Sequence, residues 1–126
     1  MKLFSTKTHG VLDYLTAGGL LVLPRALGWS DKLTTALSIA ALGTVAYSAL
    51  TRYELGLLKT LPMPAHLALD ALSGALFCAA PLLLPDEDAG VRGALLGIGL
   101  FELSAALLTE PEPKSEWAEK RLALEA

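Results

Sequence analysis

The chain is poor in charge, in cysteine and in aromatic residues. Only 18% of its 126 residues are Asp, Glu, Lys or Arg, against about a quarter in ordinary soluble domains. A single cysteine, Cys78, lies in an apolar run and closes no internal disulfide, which excludes a disulfide-stapled scaffold. The net charge of -3 and the pI near 5.3 leave no basic field to attract phosphates, so a nucleic-acid binder is excluded too. No glycine loop of the phosphate-cradling kind occurs, no Cys-x-x-Cys pair, and no serine in a nucleophile-elbow context. What is abundant is apolar: 53% of the residues, with a mean hydropathy of +0.51. That composition excludes a disordered chain. It also exceeds what the core of a 13.2 kDa domain can hide. A small integral membrane protein or an unusually apolar soluble helical bundle remains.

Crossing roughly 30 Å of hydrocarbon takes about 20 apolar residues in a helix. Leu33 to Thr51 supplies nineteen residues without a charge, and Met63 to Pro85 is interrupted only by His66 and Asp70. Two further segments are less clean. One runs from about Thr8 to Trp29 with an uncharged stretch from Tyr14 to Pro24; the other runs from about Val91 to Thr109 and contains Glu102. An ionisable group at a helix centre costs about 2.5–3.5 kcal/mol, which the surrounding leucine and alanine offset. The expected fold is all-α, a bundle of four transmembrane helices over residues 1–109. Pro24, Gly28 and Ser30-Asp31 separate the first two helices, Arg52 to Pro64 joins the second to the third, and Pro85-Asp86-Glu87-Asp88 joins the third to the fourth. Residues 110–126 form a charged tail with a surface helix from about Ser115. With four spans, Lys2, Lys7, Arg52, Lys59, Lys114, Lys120 and Arg121 share one side, against Arg25, Lys32 and Arg92 opposite. That asymmetry puts both termini in the cytoplasm. The leading MKLFSTKTHG does not read as a cleavable signal.

A shift of 57 residues lays one half of the chain on the other. His9 falls on His66, Leu12 on Leu69, Asp13 on Asp70, Leu15 on Leu72, Thr16 on Ser73 and Pro24 on Pro81. With one further residue inserted, Leu50-Thr51 falls on Leu108-Thr109. The reading is a tandem pair of two-helix hairpins, residues 8–51 and 65–109. Two spans per repeat give both hairpins the same topology about an axis along the membrane normal. His9 and His66 are therefore expected at similar depth.

The stretch HGVLDYLTAGGLLVLP, the run SALTRYELGLLKTLPMPAHLALDALSGAL and the hairpin duplication together resemble the SPW-repeat family of small bacterial membrane proteins. The likeness covers nearly everything except the tail. The Ser-Pro-Trp signature of that family would fall at Leu23-Pro24-Arg25 and Ala80-Pro81-Leu82, where only the prolines are kept. The resemblance implies a four-helix protein of the bacterial inner membrane, without an established biochemical activity.

The polar residues inside the spans carry whatever chemistry there is. His9, Asp13 and Thr16 stand at i, i+4 and i+7, one stripe of a helix, and His66, Asp70 and Ser73 repeat it. Charged groups avoid lipid, so both stripes should face inward. Two-fold packing then brings His9, Asp13, His66 and Asp70 toward one axis. Two imidazoles and two carboxylates suit zinc, iron or manganese, and two facing histidines suit the axial positions of a haem. The plainer reading is a hydrogen-bonded seam that sets the register of the halves, with Arg52 and Lys59 as counterions for Asp13 and Asp70. Glu102, whose repeat counterpart is Thr44, is either a further carboxylate for ion or proton handling or a seam residue bonded to Thr44, Ser48 or Tyr47. Trp29, Tyr53 and Trp117 fit interfacial anchors, while Tyr14 and Tyr47 lie deeper. Gly93-x-x-x-Gly97 forms a small-residue face for close helix packing, within the chain or between copies. The first expectation is a non-catalytic structural or accessory membrane subunit, its partners being the bilayer and another copy or membrane protein. The rivals are a metal or haem carrier and a minimal proton or ion pathway.

Overall fold

A computed structural model describes all residues, 1–126, and it is all-α. Four long helices, α1 (Thr6–Ala26), α2 (Asp31–Leu50), α3 (Met63–Leu83) and α4 (Ala89–Leu108), are followed by a short α5 (Lys114–Glu125). Their starts follow local chemistry. Ser5 and Ser30 cap α1 and α2 by accepting from the backbone N–H of Thr8 and Leu33, and Pro64 in the first turn of α3 wastes no hydrogen-bond donor. Pro24 does not end α1, as its breaker character predicts. It sits in the last full turn, matched by Pro81 in α3, and Gly28 at φ +65° makes the stop after it.

Helices α2, α3 and α4 are long and apolar enough to cross a membrane. At 21 residues α1 is equally long, yet Lys7, His9, Asp13 and Arg25 make it too polar to join them on composition alone. By length and composition the chain is a membrane protein. Its surface agrees: only 28 residues are buried, and large apolar side chains such as Leu15, Ile39, Leu76 and Leu107 stand more than half exposed on the outer helix faces. Water would penalise such a surface, whereas hydrocarbon accepts it.

Helix α1 packs on α2 and α3 on α4, and one apolar core joins both pairs through Ala17, Leu20, Leu37, Ala41, Phe77 and Leu95. The polar residues collect at one end of this core. There the chain leaves α2 and α4 through extended caps, Thr51 and Thr109, and each cap runs beside a strand-like segment that leads into a helix. Thr51 bridges Leu61, before α3, and Thr109 bridges Phe4, before α1. The backbone bonds match pair for pair: Leu61 and Phe4 donate to the carbonyls of Leu50 and Leu108, and Arg52 and Glu110 donate to those of Leu61 and Phe4.

The tight helix crossing is not at the expected small-residue face. A side chain added at Gly93 or Gly97 meets nothing within 4 Å, whereas a Cβ on Gly99 would lie 2.6 Å from the Cys78 nitrogen and the Gly74 carbonyl oxygen. Backbone cannot yield as a side chain can. Gly99→Ala is therefore expected to destabilise the protein by about 1–3 kcal/mol, and Gly97→Ala to change little. Thermal unfolding of both variants in detergent measures the difference.

Candidate metal centre

Helical periodicity sets the first layer. His9 and Asp13 lie one turn apart on α1, His66 and Asp70 one turn apart on α3, and the two stripes face each other. All four residues are buried, the histidines to 1% exposure or less. The structure thus brings together the four residues singled out by the repeat. His9 Nε2 lies 2.7 Å from Asp70 Oδ2, 3.2 Å from Asp13 Oδ1 and 3.2 Å from His66 Nε2. His66 Nε2 lies 3.1 Å from Asp70 Oδ2 and 3.2 Å from Asp13 Oδ2. One donor atom from each residue fits within a 4.8 Å cluster.

A second layer fixes the rings. His9 Nδ1 is 2.8 Å from the Thr109 hydroxyl, and His66 Nδ1 is 2.7 Å from the Thr51 hydroxyl. Each hydroxyl has one proton and gives it to a carbonyl of its own helix, Ala105 for Thr109 and Tyr47 for Thr51, both at 2.6 Å. The hydroxyl oxygens must therefore accept, so both imidazoles carry their proton on Nδ1. In the neutral rings both Nε2 lone pairs then point at one another and at two carboxylates. Acceptors do not gather at these distances unless positive charge lies among them.

The carboxylates are held by hydroxyls, not by the cations expected from the sequence. Asp70 Oδ1 accepts from Tyr47 at 2.7 Å; Asp13 Oδ2 accepts from Tyr53 at 3.0 Å and Ser48 at 3.3 Å. Arg52 instead donates to the Lys59 carbonyl, and both residues are exposed. Tyr53 is not an interfacial anchor either. At 2% exposure it roofs the cluster, tilted against the His66 ring with 5.5 Å between centroids. Burial, helped by the charge of Asp13, pushes its phenol well above the ordinary range, which keeps it a donor. Gly10 makes the roof possible, since a Cβ there would come within 2.7 Å of the Tyr53 ring. Tyr14 bonds inside the protein as expected, to the Leu55 carbonyl.

The remaining seam residues divide. Glu102 and Thr44 are buried, whereas Thr16 and Ser73 are only partly so and bond to none of the four. Glu102 does not bond to Thr44, Ser48 or Tyr47, because each of those hydroxyls already serves Ala40, Asp13 or Asp70; its Oε2 has no partner. Thr51, Thr109 and Tyr53 complete the cluster, and the sequence reading did not single them out as site residues. The matching of Leu50-Thr51 with Leu108-Thr109 was the available signal for the two threonines.

The arrangement is suited to a small divalent ion. Ligand bonds of roughly 2.0–2.1 Å make a tetrahedron with edges of roughly 3.3 Å; the two histidine nitrogens lie 2.7–3.2 Å from each other and from the carboxylate oxygens, Asp13 presenting a different oxygen to each ring, and the whole donor set lies within 4.8 Å. Two neutral imidazoles and two carboxylates leave the centre electrically neutral with a divalent cation. A haem does not fit, because the two Nε2 atoms lie 3.2 Å from each other and carboxylate oxygens lie 2.7–3.2 Å from both, leaving no room for a porphyrin between the rings. Comparison with protein-family models, curated proteins and solved structures finds no match.

Removing one member leaves the others unpaired in a dry environment, which costs about 3–5 kcal/mol for a buried ion pair. Asp70→Ala should lose stability of that order in detergent unfolding, while Thr16→Val, on the same helix face as His9 but bonded to nothing, should stay within about 0.5 kcal/mol of the parent.

Proposed function

We propose that this is a small four-span membrane protein that carries one divalent transition-metal ion on His9, Asp13, His66 and Asp70. The observation behind the reading is the pair of threonine-locked imidazoles, whose Nε2 atoms converge with two carboxylates. Protons also balance the charge: one on each Nε2 serves Asp70 at 2.7 Å and Asp13 at 3.2 Å. They leave two like charges 3.2 Å apart, however. A single divalent ion answers every one of the short approaches at once. Borderline donors without thiolate favour zinc, iron or manganese.

The finer architecture belongs to the same reading. The pairing of the segment before α1 with the cap of α4, and of the segment before α3 with the cap of α2, repeats bond for bond, which supports two tandem hairpins about a common axis. If the hairpins share a topology, α1 crosses as α3 does, its polar face turned to the cluster and its leucines to lipid. The positive-side excess then leaves both termini in the cytoplasm, and the likeness to SPW-repeat proteins points to a bacterial inner membrane. The non-metal alternative, an accessory subunit with a hydrogen-bonded seam, rests on the same quartet and yields to the same test.

Metal analysis of protein extracted gently from membranes should find about one atom per chain, and the His9→Ala/His66→Ala double variant should have none. Metal-free parent protein that neither takes up added zinc, iron or manganese nor gains stability from it leaves the seam. Thr51→Val with Thr109→Val keeps every ligand but frees the rings, and is expected to weaken metal affinity about 10–100-fold. The topology has its own check, in a Cys78→Ser background. Lys2→Cys should label from the cytoplasmic side only and Asp86→Cys from the opposite side; the same side for both would end the four-span reading.

A further inference from the structure

The two halves surround the cluster unequally. On α2, Tyr47 and Ser48 reach in and bond to Asp70 and Asp13. Their repeat counterparts on α4 are Ala105 and Ala106, which carry no hydroxyl, and Ala105 borders a space beside the cluster. The space is a chamber of about 20 Å³ lined by His9, Asp13, Asp70, Tyr47, Ala105 and Glu102. Counted over positions open to a water's centre, one water needs about 10–15 Å³ and two to four polar partners, so the chamber takes a single water.

Glu102 is the group this chamber leaves unexplained. It is 91% buried, and its Oε2 is shut away from solvent without a hydrogen-bond partner. It sits on α4 seven residues before Thr109, on the helix face that carries the Thr109 lock on His9. Thr44, its counterpart on α2, turns its hydroxyl onto the Ala40 carbonyl and contributes no acid. A carboxylate oxygen that is buried and unbonded needs a donor, and the chamber between it and the cluster has room for one.

We propose that the chamber is an exchangeable coordination position, in which a water bound to the metal is held by Glu102. This rests on the metal reading above. A centre closed by four protein ligands is structural, whereas one that keeps a position for water or a small anion can exchange ligands and do chemistry. Glu102 is here a positioning residue: it bonds to the bound water and not to the metal. The ligand class is water or a small linear anion.

Cobalt(II) loaded into the full chain in detergent reads the coordination number through its visible absorption, intense for four ligands and weaker for five. The parent protein is expected to show the five-coordinate spectrum and to shift on adding azide. Glu102→Gln, which still bonds to water, should keep both behaviours. Glu102→Leu and, independently, Ala105→Leu fill the chamber; each should bind cobalt at the parental stoichiometry, show the four-coordinate spectrum and weaken the azide response at least tenfold. A parent spectrum that is already four-coordinate and unmoved by azide overturns the fifth position while leaving the metal reading intact. So does an azide response that survives both leucine variants. Failure of the parent to bind cobalt, zinc or manganese overturns both readings together.

Discussion

Four ionisable side chains share one buried cluster in a chain whose α2, α3 and α4 are long and apolar enough to cross a membrane, and that constraint organises the rest of the molecule. None of them can be buried alone without a penalty of several kcal/mol. Each is therefore answered twice, once by another member and once by a hydroxyl. The histidines take Thr51 and Thr109; the aspartates take Tyr47, Ser48 and Tyr53. The threonines can serve only because they sit at helix ends where the chain turns extended, which lets the hydroxyl bond back to its own helix and forward to a ring. Those extended caps in turn demand backbone partners, and the segments at Phe4 and Leu61 supply them. Charge neutralisation, helix termination and chain closure at this end of the fold are one problem with one solution.

Much of this was legible from sequence. Hydropathy located the four long helices to within two or three residues, because apolar composition and helix length are coupled by the thickness of a bilayer. The spacing of His9 with Asp13 and of His66 with Asp70 placed each pair on one helix face, and their repetition placed both pairs at one depth. The errors arose where partners lie outside regular helix. Tyr53 follows α2 in an irregular loop, and no periodicity reports that such a residue folds back over Gly10. Arg52 and Lys59 looked like counterions on charge alone, but the same loop turns them to the surface while hydroxyls reach the carboxylates first. Of the two readings of Glu102, the seam reading needs a bond to Thr44, Ser48 or Tyr47. Competition decided otherwise, since every hydroxyl within its set had a better acceptor.

Helix contacts show the same limit. Gly93 and Gly97 have the spacing of a close-packing face, yet the backbone approach occurs at Gly74 and Gly99. Spacing identifies which residues share a face; the register between two helices is fixed by whichever face has the more to bury. On α4 that face also carries Glu102, so the tight crossing against α3 and the acid beside the cluster constrain each other. Helix α4 cannot rotate Glu102 toward lipid without driving Gly99 away from Gly74.

In the proposed tandem arrangement, a centre built from one histidine and one aspartate of each hairpin requires two hairpins, which two separate copies would also supply. Joined in a single chain, the halves need not be alike. An identical pair would carry Tyr47 and Ser48 on both sides of the cluster, bonding to both carboxylates from both directions and leaving no space beside the donors. Replacing those two residues by Ala105 and Ala106 in only one half removes volume from one side, and Glu102 in place of a second Thr44 puts an acid against that space. The symmetric part of the fold thus holds the four donors, and its asymmetric part determines whether anything else can reach them.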